Sequence, residues 1–175
     1  FSRKALGCKL NQYEADQIAS SLAARGWQSV PFGDDAEIVV IHTCTVTDNS
    51  DRKCRNYIRQ GARSASAGKV VVTGCLGKRD PDGLNAMNEV AAVLDSSMEG
   101  LAESIEKASS AGTGRAESGA RSHLKTRTRS YLKIQDGCDF MCSYCVIPFA
   151  RGRSRPRRLD DLTAEAASLA ARGAR

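Results

Sequence analysis

Apolar and polar positions alternate along the first 110 residues in two rhythms. Short apolar runs at 4–7, 37–43, 69–74 and 90–95, the middle two rich in Val and Ile, predict buried strands. Helical signals fall between them. Asn11, followed three residues later by Glu14, has the form of a capping box and opens an amphipathic helix to about residue 25, where Gly26 stops it. Thr47-Asp48-Asn49-Ser50 offers caps for a polar helix ending near residue 65. A weaker helix follows Asp80-Pro81, and another is expected over about 98–109. Apolar strands separated by helices predict an α/β fold, a doubly wound parallel sheet covered on both faces. Residues 1–110 form this domain. Residues 111–128, rich in Ser, Gly, Ala, Thr and Arg, read as a linker. Residues 129–175 begin a second α/β region: a strand near 130–135, a cysteine-rich loop and a helix over 159–172.

Composition narrows the setting. The apolar share of 41% is enough for a packed core. No apolar run approaches the roughly 18 residues that cross a bilayer. The first residues carry no signal-peptide hydrophobic region, so a soluble, cytoplasmic protein without membrane contact is expected. Seven cysteines, an odd number, then argue for metal or redox chemistry over a disulfide framework. Charge is uneven: residues 1–110 carry 13 basic against 14 acidic side chains, and residues 111–175 carry 13 against 6. The basic half is a candidate polyanion face.

Six of the cysteines form two sets of three. Cys138, Cys142 and Cys145 make a C-x3-C-x2-C run, close enough to wrap one side of a compact metal centre. A structural zinc wants four closed ligands, and neither His42 nor His123 is an obvious fourth. An iron–sulfur cluster on three thiolates leaves one iron open to a ligand; a zinc knuckle is the alternative. Cys8, Cys44 and Cys75 are dispersed, yet each follows the carboxyl end of an expected strand, the edge where open α/β sheets bind ligands. They predict a second three-thiolate site, against the alternative of three buried small hydrophobes. Cys54, inside a helix between Lys53 and Arg55, is expected to ligate nothing.

The cysteine loop, with an aromatic before its last cysteine, resembles that of radical S-adenosylmethionine enzymes. The strings Ile134-Gln-Asp-Gly-Cys138 and Val146-Ile-Pro-Phe-Ala-Arg151-Gly-Arg-Ser-Arg are similar to the methylthiotransferase branch. Leu6-Gly-Cys8-Lys-Leu-Asn11, Thr43-Cys44-Thr45 and Thr73-Gly74-Cys75 resemble that branch's leading domain. The resemblance implies that residues 129–175 start a radical-SAM partial TIM barrel. It implies two 4Fe–4S clusters: Cys138, Cys142 and Cys145 would hold the one that binds and cleaves S-adenosylmethionine, with Tyr144 near the adenine. Cys8, Cys44 and Cys75 would hold the auxiliary cluster. The implied enzyme adds a methylthio group to its substrate and draws on a reducing electron donor. The strings around Cys8 and Cys44 most resemble enzymes acting on N6-threonylcarbamoyladenosine in the tRNA anticodon loop. Branches acting on isopentenyladenosine in tRNA or on a ribosomal protein are the alternatives. Further barrel units and an RNA-binding domain are implied beyond residue 175, so this fragment alone is not expected to turn over.

Arg151, Arg153, Arg155, Arg157 and Arg158 put five arginines in eight residues. Arg's fixed fork of donors suits phosphate, and Arg151 is the candidate substrate contact by family position. His42 reads as packing, His123 as an exposed linker residue, and Glu14 as a capping residue. From another class, a non-catalytic metal-binding module contacting RNA through its basic half competes, as does a truncated product without activity.

Overall fold

The computed structural model describes residues 1–95, 100–108, 130–171 and 173. The chain divides into two compact units, Phe1–Leu124 and Lys125–Arg175. The expected linker and His123 lie outside the described residues.

In the first unit, β1 (Ser2–Ala5), β2 (Val39–Thr43), β3 (Val70–Gly74) and β4 (Val90–Val93) form one sheet in that order, every pair parallel. Helices α1 (Lys9–Ala24), α2 (Asp48–Ser64), α3 (Cys75–Arg79), α4 (Pro81–Asn85) and α5 (Leu101–Ala108) cover it. Because side chains alternate across a strand, β2 and β3 feed two separate cores. Val39, Ile41, Val70 and Val72 pack under Cys54 and Ile58 of α2 and Leu76 and Leu84 of α3 and α4. Val40 and Val71 face Ile18, Ala19 and Leu22 of α1 and Leu101 and Ile105 of α5. Each fully buried aliphatic side chain contributes about 1.5–3 kcal/mol.

The chain reaches both faces by reversing direction beside β1. After α1, the Phe1 amino group donates to the Gln28 carbonyl, and Val30 N–H donates to the Phe1 carbonyl at 2.9 Å. Ser2 N–H donates the other way, to Ile38 beside β2. Residues 28–30 thus run along the far edge of β1 before the chain crosses back to β2. The carboxyl ends of β1 and β2 therefore flank the switch point, where open α/β sheets form a crevice.

Several boundaries differ from expectation. β1 spans Ser2–Ala5, not 4–7, because Gly7 at φ 96° turns the backbone out of the sheet. α1 begins at Lys9, with Cys8 at the cap position and no side-chain cap. Asn11 and Glu14 are buried within the helix, so the capping role expected of them is not observed. The caps of α2 and α4 are as expected: Thr47 accepts from Ser50 N–H, and Asp80 from Gly83 N–H.

In the second unit a two-residue β5 (Gln135–Asp136) pairs antiparallel with β6 (Arg155–Pro156), in place of the longer strand expected near 130–135. Strand backbone needs a partner for its N–H and C=O groups, and within this unit the returning segment supplies it. Between them lie the cysteine loop and a short α6 (Ile147–Arg151). Helix α7 (Leu159–Ala171) follows, tied back by Arg157, which donates to the Lys133 carbonyl at 3.2 Å and pairs with Glu165.

Candidate metal centre

Three parallel strands end beside one another, and their ends deliver the dispersed cysteines to one edge. Cys8 follows β1, Cys44 follows β2, and Cys75 opens α3 directly after β3. Asn11 sits among them, fully buried. Its Nδ2 donates to the Leu6 carbonyl at 2.7 Å and the Thr43 carbonyl at 2.8 Å, which ties the ends of β1 and β2 together. A carboxamide oxygen could not approach two carbonyls so closely, so Oδ1 must face the other way. There it accepts from the thiols of Cys8 and Cys75, each at 3.8 Å. The two sulfurs thus lie within twice 3.8 Å of each other. Cys44 approaches from beside Gly7, where an added Cβ would fall 2.5 Å from the Cys44 sulfur. Only glycine combines that closeness with φ 96°.

Cys54 belongs to this neighbourhood although its sequence position gave no hint of it. Its sulfur accepts from Cys44 N–H at 3.4 Å and donates to the Cys44 carbonyl at 3.3 Å, bracing the backbone that carries Cys44. Burial pushes its thiol up to about 11, so it stays protonated and faces inward. Deeper still, His42 Nε2 lies 3.0 Å from Glu14 Oε2. The pair locks α1 to β2 two residues before Cys44, more than the simple packing expected of His42. Thr43 Oγ1 donates to the Thr73 carbonyl and accepts from Gly77 N–H, fastening the start of α3.

Among the described residues no three His, Cys, Asp or Glu side chains are close enough for a single ion. One zinc holds sulfur at about 2.3 Å, whereas an iron–sulfur cluster spreads its thiolates around a body of several atoms. Soft sulfur donors gathered at the ends of three neighbouring strands are the donor type that an iron–sulfur cluster takes.

In the second unit, Cys138 and Cys145 are half-buried and Cys142 is exposed. The loop is anchored at its base. Cys138 N–H donates to the Gly152 carbonyl at 3.1 Å, and Asp139 accepts from Ser154 N–H at 3.1 Å. Gly137, at φ 72°, lies so close to residues 152–153 that a Cβ would meet the Arg153 carbonyl at 2.1 Å. Asp136 organises this base, accepting from Gly137 N–H, Lys133 and Arg151, each at 2.9 Å. Burial alone would raise its pKa, but the hydrogen bonds from Lys133 and Arg151 outweigh that and hold it below the ordinary carboxylate value.

Arg151, the candidate substrate contact, is buried and points at Asp136, bracing the loop from within. Arg155 joins it by donating to the Arg151 carbonyl, whereas Arg153 and Arg158 are mostly exposed. Tyr144 is 90% exposed on the loop. Three thiols on one short loop, with an aromatic beside the last, can hold one face of a cluster and leave the other open.

The profile described as Uncharacterized protein family UPF0004 matches residues 1–95. Across all of its length the chain is 34% identical to the threonylcarbamoyladenosine tRNA methylthiotransferase MtaB of Chlamydia pneumoniae, covering 41% of that protein. It is 32% identical to the tRNA-2-methylthio-N(6)-dimethylallyladenosine synthase of Novosphingobium aromaticivorans, again along its whole length and over 42% of the relative. With 96% of the chain aligned, it is 34% identical to a ribosomal protein uS12 methylthiotransferase RimO of Thermus thermophilus, covering 39% of that protein. The chain thus spans about two fifths of the length of the curated relatives it matches.

Proposed function

The chain belongs to the UPF0004 family, alongside methylthiotransferases, and we propose that it is the leading part of a radical-SAM methylthiotransferase acting on tRNA. The observation that carries this reading is the meeting of Cys8, Cys44 and Cys75 around Asn11 at the switch point of the sheet. Cys8, Cys44 and Cys75 would hold one 4Fe–4S cluster, and Cys138, Cys142 and Cys145 the other, together with S-adenosylmethionine. When bound, these groups supply the sulfur, the methyl group and the radical chemistry that an unactivated C–H bond demands. The side chains around them position and shield. Asn11 and Cys54 fix the strand ends, Gly7 leaves room beside Cys44, and the Asp136–Arg151 pair braces the base of the second loop. Residues 1–110 would be the auxiliary-cluster domain, 111–128 the linker and 129–175 the start of the barrel.

The substrate we favour is the N6-threonylcarbamoyladenosine of the tRNA anticodon loop, methylthiolated at C2 in the cytoplasm with electrons from a reducing partner. Near-equal identity to relatives of all three substrate classes keeps isopentenyladenosine and a ribosomal protein as the second reading. No helix among the described residues is long and apolar enough to cross a membrane.

Anaerobic reconstitution of the chain with iron and sulfide tests the proposal. Two four-iron clusters require about eight irons per chain and matching inorganic sulfide. One tightly held zinc with no sulfide would sink it.

A further inference from the structure

Beside Cys44 lies a cavity of about 650 Å³ whose α2 wall the cysteine chemistry does not use. Gly7 and Cys44 bound it at the sheet edge, and Lys53, Asn56, Tyr57 and Gln60 bound it along α2. Spaced three and four residues apart, the α2 residues share one helix face. Cys54 and Ile58 bury the opposite face against the sheet. The α2 wall offers an ammonium, two carboxamides and a phenol. Asp51, the acid nearest Lys53 in sequence, is engaged by Arg79 at 3.3 Å. The Lys4 ammonium sits 4.7 Å from the centre of the Tyr57 ring and adds a second positive charge beside the groove.

We propose that this groove receives the N6 side chain of the substrate adenosine and selects for an anionic, hydrogen-bonding one. The inference rests on the methylthiotransferase reading above and deepens it. C2 and C6 of adenine flank the same ring nitrogen. A base presenting C2 to the cysteine edge therefore directs its N6 substituent onto a surface next to that edge, and α2 is such a surface. A threonylcarbamoyl group carries a carboxylate for Lys53, and a hydroxyl and a urea for Asn56 and Gln60. An isopentenyl group is hydrocarbon alone. It would strip water from the ammonium and the two amides and return no hydrogen bond, the arrangement that polar sites reject most strongly.

The test is equilibrium binding of three nucleosides to the intact, thiol-reduced chain, followed by calorimetry. N6-threonylcarbamoyladenosine is expected to bind on the order of tenfold more tightly than N6-isopentenyladenosine or adenosine, the scale of one charge-assisted hydrogen bond. Lys53→Met should erase that preference and Lys53→Arg keep it. Equal binding of the three, a preference for the isopentenyl form, or no binding at all overturns the inference. So does tight, Lys53-dependent binding of adenosine monophosphate, which would make the groove a phosphate site. A chain that loads two clusters yet shows no preference defeats the groove alone. One that takes up zinc without sulfide defeats the functional reading instead.

Discussion

Asn11 shows how much can depend on one carboxamide. Its three-residue spacing to Glu14 looks like a helix cap, and the same side chain in fact joins two strand ends and faces two thiols. Sequence spacing could not separate these roles, because the partners Thr43 and Cys75 are distant along the chain. Cys54 repeats the lesson: its place inside a helix was legible, its brace on Cys44 was not. Asn11→Asp keeps the shape but turns an acceptor toward two carbonyls. It is expected to destabilise the chain by about 2–4 kcal/mol, two buried carbonyls losing their donor. Urea unfolding measures this, and iron uptake by the first cysteine set should fall with it. A variant as stable as the parent would show that the amide is not the tie.

At the scale of elements, hydrophobic rhythm predicted the strands and long helices of the first unit, because each faces a core that demands its period. Their ends were less legible, being set by long-range ties such as Gly7 against Cys44. The docking of α5 is one such tie. Glu106 accepts from Arg25 Nε at 2.8 Å and from Trp27 Nε1 at 2.6 Å, linking α5 to the end of α1. Hydrogen bonding from Arg25 first, aided by Trp27, holds the Glu106 carboxyl below its ordinary value against the opposing effect of burial. A carboxylate whose pKa is lowered on folding adds stability above its unfolded value. That contribution fades as pH falls through the folded one. The lock should therefore hold at neutral pH and loosen only below the usual glutamate range, and its exposure keeps the effect small. Trp27 is the only tryptophan, so its emission reports the step directly. Glu106→Gln should flatten the acid titration of that emission; an unchanged titration would assign it to another group.

Across the whole molecule, the two cysteine sets differ in how they are built. The first rests on a four-stranded sheet with a core on each face, and its three positions come together only through the fold. The second is a contiguous loop braced by Asp136, Arg151 and a two-residue ladder, so its spacing was readable directly from the sequence. The second unit also leaves Ile134, Phe140, Phe149 and Leu159 more than half exposed, and α7 buries none of its residues. A site formed by a packed sheet and a site formed by a short loop do not need each other to assemble. Replacing Cys8, Cys44 and Cys75 together by Ala should therefore leave about half of the iron bound, with sulfide in proportion. Replacing Cys138, Cys142 and Cys145 should leave the other half. The first unit ought to keep its cluster through more urea than the second, since strand ends fixed by a buried amide must unfold before their cysteines part. Loss of all iron from either triple variant would mean that the two sets build one shared centre, and the assignment of three ligands to each would fall.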